Sequence, residues 1–71
     1  MKHYPDITNR EREIVHLIAS EFTSKEISNI LFISPDTAKT HRKNIMNKWK
    51  VKNAAGIVRM GFELGIITLT R

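Results

Sequence analysis

Apolar residues recur at helical spacing in four stretches, each opened by a residue able to cap a helix. In the first stretch Ile14, Leu17 and Ile18 fall at i, i+3 and i+4, and Ala19 ends the pattern. Thr8-Asn9-Arg10-Glu11 starts it as a capping box. The hydroxyl takes one unpaired amide and the glutamate reaches back for another. Thr23-Ser24-Lys25-Glu26 repeats the device ahead of Ile27, Ile30 and Leu31, a stripe of about two turns. Ser34 caps the third stretch. Pro35 takes the first helical position, where its missing N–H is no loss, and Asp36 suits the positive end of the helix dipole. This third helix is predicted over about 35–50. The fourth is predicted to begin at Asn53 and end near Leu64, with Gly65 in a left-handed position just beyond. Ile66, Ile67 and Leu69 then form an apolar tail that folds back onto the core.

The pattern predicts an all-α four-helix bundle, a single domain over 1–71 with its core at about 6–69. Only Phe32 and Ile33 lie between Leu31 and the Ser34 cap. So short a turn makes the second and third helices cross steeply, which is helix-turn-helix geometry.

At about 100° per residue, Ala38, Ile45, Met46 and Trp49 share the core side of the third helix. Lys39, Thr40, Lys43 and Asn47 share the outward side, which is polar and basic throughout, and His41 and Lys48 lie on one flank. Arg42 projects close to the core side. Its stem can follow apolar surface while its head reaches a phosphate, or it can serve the fold. An outward basic face of this kind suits a helix laid in a DNA major groove, with base edges read near its N-terminus and phosphates gripped from the flanks. Lysine can donate to guanine O6 and N7, and a threonine methyl can touch a thymine methyl. Ser24, Ser34 and Thr37 lie at two helix N-termini, whose free amides suit phosphate oxygens.

The charge distribution strengthens this reading. The net charge is +5, and all of the excess falls between Pro35 and Lys52, where six basic residues face the single acid Asp36. The remainder balances six against six. A focused basic stripe marks a polyanion binder, although a solvated lysine-rich face is the commoner origin of such a stripe. A chain of 71 residues offers little room for a deep substrate cleft. No nucleophile–base arrangement and no glycine-rich phosphate loop occurs, so an enzyme is not expected. His3, His16 and His41 share no ligand spacing and cysteine is absent, so neither metal nor cofactor is expected, and His16 is placed on the exposed side of the first helix. Residues 1–6 lack an apolar secretion segment, and no stretch nears the ~20 apolar residues of a membrane span. A cytoplasmic protein is therefore expected. Trp49 reads as core, and the few aromatic residues offer no platform for single strands.

The runs Thr8-Asn9-Arg10-Glu11-Arg12-Glu13-Ile14-Val15, Lys25-Glu26-Ile27-Ser28, Phe32 through Ile45, Lys48 and Val51-Lys52-Asn53 resemble the LuxR/GerE-type helix-turn-helix domain from Thr8 to Ile67. The resemblance implies a four-helix domain that binds duplex DNA and regulates transcription in a bacterium, as a response-regulator effector domain in a two-component system or as a stand-alone regulator. Its third helix would read the major groove and its fourth would often mediate dimerisation. Carried over by position, Lys39, Thr40 and Lys43 resemble base-contacting residues, and Lys25, Thr37, His41 and Lys48 resemble backbone contacts. Ser24, Ser34 and Arg42 join the backbone set from the reading of the helix ends and faces. The chain departs from the family at four positions. Glu21 stands where glycine is usual and is strained if that site needs a positive φ. Ala38 replaces valine, and Trp49 replaces leucine and can fill the space so lost. Ala54 replaces an arginine, which puts a fourth-helix phosphate contact in doubt.

On the fourth helix Ile57, Met60 and Leu64 are expected to face the core, while Val58 and Phe62 form a second apolar stripe, with Gly61 permitting a close backbone approach. That stripe serves either a symmetric dimer or the tail, Ile66 to Leu69, of the same chain. RNA polymerase is a further candidate partner. The alternative function from another class is a protein-interaction module whose basic helix docks an acidic partner. A promoter-binding domain like that of a sigma factor is a nearer alternative, but it needs a polymerase-docking region beyond this length.

Overall fold

A computed structural model describes residues 6–68. The expectations for residues 1–5, His3 among them, and for Leu69 lie outside the described residues. Four helices follow in order: α1 (Asn9–Ala19), α2 (Ser24–Leu31), α3 (Pro35–Trp49) and α4 (Ala54–Glu63). Both capping boxes form. Thr8 Oγ1 accepts from the Glu11 N–H at 3.0 Å and Glu11 Oε1 accepts from the Thr8 N–H at 2.9 Å. Thr23 and Glu26 make the same exchange at 3.2 and 2.8 Å. Ser34 Oγ accepts from the Thr37 N–H at 3.1 Å, and Asn53 Oδ1 from the Gly56 N–H at 2.9 Å. Asn53 is thus the cap of α4.

The core lies where α1, α3 and α4 meet, with α2 packed on α3. α1 buries Ile14, Val15 and Ile18, α2 buries Ile27, α3 buries Ala38, Ile45 and Trp49, and α4 buries Ile57 and Met60. Trp49 and Ala38 are both buried, a large side chain and a small one on the same face of α3. Gly65 has φ 75°, in the left-handed region as expected. The tail returns through Ile67, which packs against Gly61 so closely that a Cβ there would lie 2.5 Å from Ile67 Cδ1 and 3.2 Å from Val15 Cγ1.

Three expectations are corrected. Val15 and Glu11 are buried and were not in the i, i+3, i+4 stripe of the first helix, while Leu17 from that stripe is only half-buried. Ile30 is 44% exposed, because α2 packs through Ile27 and the buried Ser28, whose hydroxyl donates to the Lys25 carbonyl at 2.6 Å. Leu64 is 44% exposed, because α4 ends at Glu63 and the chain turns there, so extrapolating the helical face one residue further fails.

Helix ends need left-handed residues where the chain turns sharply. Here three non-glycine residues supply them: Glu21 at φ 70°, Phe32 at φ 57° and Lys50 at φ 58°. The position where the resembling family has glycine therefore does carry a positive φ, and glutamate occupies it.

Candidate nucleic-acid interface

The α2–α3 turn sets the orientation of α3. The N–H groups of Phe32 and Ile33 both donate to the Ser28 carbonyl, the second at 3.0 Å. Ser34 then starts α3 at once, and Ser34 Oγ and Thr37 Oγ1 lie 2.8 Å apart in a mutual hydrogen bond. Ala38, Ile45 and Trp49 pin the inner face of α3. The periodicity turns Lys39, Thr40, Lys43, Asn44 and Asn47 outward, and all five are exposed. Among the described residues, no ion pair engages Lys39 or Lys43. Thr40 Oγ1 donates to the Asp36 carbonyl at 3.0 Å, so its hydroxyl proton is used within α3.

The expected phosphate-gripping residues divide into two groups. Lys25, Ser34 and Thr37 are exposed at the N-termini of α2 and α3, and His41 is half-buried on the flank. Arg42 and Lys48, by contrast, are tied to other helices. Arg42 Nη1 donates to Ser24 Oγ at 2.9 Å, joining α3 to the first turn of α2, and its buried Nε has no partner. Lys48 Nζ donates to Glu11 Oε1 at 2.7 Å. The Glu11 side chain is 5% exposed and that of Lys48 29%. Burial alone would raise the Glu11 carboxyl pKa. The bond from Lys48, the backbone and side-chain bonds from Thr8 and the nearby ammonium charge outweigh it, and the pKa falls below the ordinary carboxylate value.

Sequence reasoning did not find this Glu11–Lys48 link. A second glutamate contact was hidden because the capping box already accounted for Glu11. The spacing of 37 residues gives no local signal.

On α4, Val58 is half-buried against the core and Phe62 is 40% exposed. The tail packs over Gly61 and leaves Phe62 open. Beyond the α3–α4 turn lies a basic recess of about 340 Å³ lined by Lys50, Val51, Lys52, Asn53, Gly56 and Arg59. Among the described residues, no three His, Cys, Asp or Glu side chains are grouped to hold a metal ion, and no helix is long and apolar enough to cross a membrane.

Comparison with known proteins places this geometry. The pattern of the family described as bacterial regulatory proteins, luxR family, matches residues 5–61. The response regulatory protein YgeK of Escherichia coli (strain K12) is 43% identical over 63 residues, covering 89% of this chain and 43% of that protein. The spore germination protein GerE of Bacillus subtilis (strain 168) is 43% identical over 65 residues, covering 92% of this chain and 88% of GerE. The solved structure of the transcription factor GerE superposes with a TM-score of 0.82 at 32% identity, covering 87% of this chain and 92% of that one. The response regulator ChrA, from a heme-sensing two-component system, superposes with a TM-score of 0.85 at 27% identity, covering 93% of this chain and 33% of ChrA. The chain thus spans less than half the length of YgeK and ChrA and most of that of GerE. Four helices, an α2–α3 turn tight enough to form a helix-turn-helix, and a family match over most of the described residues lead to one conclusion: this chain belongs to the luxR family of bacterial regulatory proteins, as a helix-turn-helix DNA-binding domain.

Proposed function

We propose that α3 lies in the major groove of duplex DNA, where Lys39, Thr40 and Lys43 read base edges, and that the chain regulates transcription in a bacterium by this means. The observation that carries the reading is the outward face of α3. It is exposed and basic, no ion pair engages Lys39 or Lys43 among the described residues, and its inner face is fixed by Ala38, Ile45 and Trp49. Lys39 and Lys43 supply donors for guanine, and the Thr40 methyl supplies an apolar contact for thymine. Lys25, Ser34, Thr37 and His41 grip the flanking phosphates. Ser24 and Arg42 act together at the start of α2, where their shared bond places a guanidinium beside the free amides of a helix N-terminus. Lys48 reaches the backbone only in competition with Glu11. Two copies pair through Val58 and Phe62 of α4, so that half-sites lie about one helical turn apart. The setting is the bacterial cytoplasm, with RNA polymerase as a further partner.

The test is selection of a binding site from randomised duplex DNA, followed by affinity measurements on the enriched and a scrambled duplex at two salt concentrations. Lys43→Ala is expected to lose about 1–3 kcal/mol on the enriched site and to relax one position, whereas Lys25→Ala weakens all duplexes alike and lowers the salt slope by about 1. Equal binding to scrambled DNA would refute base reading and favour an acidic protein partner for α3.

A further inference from the structure

Phe32 breaks two rules at once. The residue is 94% exposed, more than any other large hydrophobic residue among those described. Its backbone also sits at φ 57°, a region that disfavours a bulky L-residue. Glu21 and Lys50 bear the same backbone strain, but each turns a charged side chain to water. Nothing in the fold requires phenylalanine at residue 32, since the turn is closed by main-chain bonds to Ser28 and anchored by the half-buried Ile33. Residues that violate local preferences without serving the fold concentrate at functional sites.

The position of the ring indicates its use. Phe32 precedes the α3 cap Ser34 by two residues, so it is carried on the end of α3 that enters the groove. The frame is rigid, because both flanking amides are bound to one carbonyl of a buried residue. Phe32 is therefore an exposed aromatic residue held on the turn that leads into the exposed Ser34 and Thr37.

We propose that Phe32 is a specificity-determining residue that packs against the C5-methyl group of a thymine at the edge of the site read by α3. This rests on the placement of α3 in the major groove. Apolar contact with that methyl is the means by which a phenylalanine distinguishes thymine from the other bases.

The experiment uses the 71-residue chain, the duplex enriched by selection, and the same duplex with uracil replacing thymine one position at a time. Phe32→Asn is the variant, because asparagine tolerates the left-handed backbone and leaves the fold as stable as before or more so. It is expected to bind the enriched duplex about five- to thirty-fold more weakly than the parent chain. At one position uracil weakens the parent about four-fold, the worth of burying one methyl group, and leaves Phe32→Asn unchanged. Two results would overturn the proposal: unchanged affinity of Phe32→Asn, or a loss equal on every duplex, which marks contact with sugar or phosphate. Lys43→Ala, run alongside, separates the two readings. If the parent chain fails to discriminate the enriched duplex from a scrambled one, the groove placement falls and this inference with it. If Lys43→Ala loses discrimination and Phe32→Asn keeps it, only the Phe32 inference falls.

Discussion

Removing the charge of Glu11 probes the one long-range ion pair among the described residues. Glu11→Gln preserves the Oε1 acceptor that both the Thr8 N–H and Lys48 Nζ, at 2.7 Å, use, so the capping box survives and the measurement isolates the carboxylate charge in the pair with Lys48. A hydrogen bond to a charged group contributes about 1.5–3 kcal/mol net. The Lys48 side chain is 29% exposed and regains water, and the glutamine carbonyl still accepts from it, so the loss lies at or below the lower end of that range, about 1–2 kcal/mol. Glu11→Ala removes the box arm as well, and its loss rises to about 2–3 kcal/mol. For a domain whose whole stability is roughly 4–10 kcal/mol, either change is large. The assay is urea unfolding followed by the fluorescence of Trp49, the chain's only tryptophan, which is 2% exposed. With a slope near 1 kcal/mol per molar urea, the Glu11→Gln midpoint falls by about 1–2 M. The Glu11 pKa is lowered on folding, so in the acidic range the unfolded state binds more protons and stability rises with pH. The contribution is complete above the ordinary carboxylate pKa and is lost as pH falls through the depressed folded value. The gap between the parent chain and Glu11→Gln therefore closes on acidification. A Glu11→Gln loss below about 0.3 kcal/mol, with no coupling to Lys48→Met in a double-mutant cycle, would refute the reasoning.

Three further outcomes are expected. Glu21→Gly relieves the residue at φ 70° and raises stability by about 0.5–1 kcal/mol after the greater freedom of glycine in the unfolded chain is counted, read as a higher urea midpoint. Gly61→Ala drives a Cβ to within 2.5 Å of Ile67 Cδ1 and lowers stability by about 1–3 kcal/mol in thermal unfolding, with partial recovery in Gly61→Ala/Ile67→Val; a neutral Gly61→Ala would show that the tail is not packed there. Phe62→Glu, at a 40% exposed site, leaves the stability within about 0.5 kcal/mol but shifts sedimentation toward monomer, and a parent chain that is strictly monomeric at high concentration removes the α4 dimer.

Much of this fold is legible in the chain because its helix boundaries are chemically marked. Thr8, Thr23, Ser34 and Asn53 each accept the amide three residues on, a local rule that sequence spacing captures. The outward face of α3 is equally legible, since Ala38, Ile45 and Trp49 leave Lys39, Thr40 and Lys43 only one side to occupy. Contacts set by tertiary packing are not legible in this way. Ile30 and Leu64 fit an apolar stripe but are 44% exposed, while Ser28 is buried with its hydroxyl satisfied within its own helix. The partners of Arg42 and Lys48 appear only when the fold brings Ser24 and Glu11 beside them. Arg42, which its helical position left open to a role in the fold, and Lys48, expected at the backbone from the family resemblance, thus each make a contact between helices.

The two faces of α3 are held by separate sets of interactions. Ala38, Ile45 and Trp49 bind it to the body, and Arg42 and Lys48 brace its edges. Lys39, Lys43 and Asn47 are exposed, and the one side-chain bond of Thr40 stays inside the helix. Substitutions on that outer face therefore leave the scaffold intact, because surface changes away from such braces typically alter stability by less than about 0.5 kcal/mol. With α3 in the groove as proposed, a duplicated copy of this domain could acquire a new target sequence through a few changes on the outer face of α3 without passing through unfolded intermediates. One scaffold can in this way diverge into many regulators, each tuned to its own promoters.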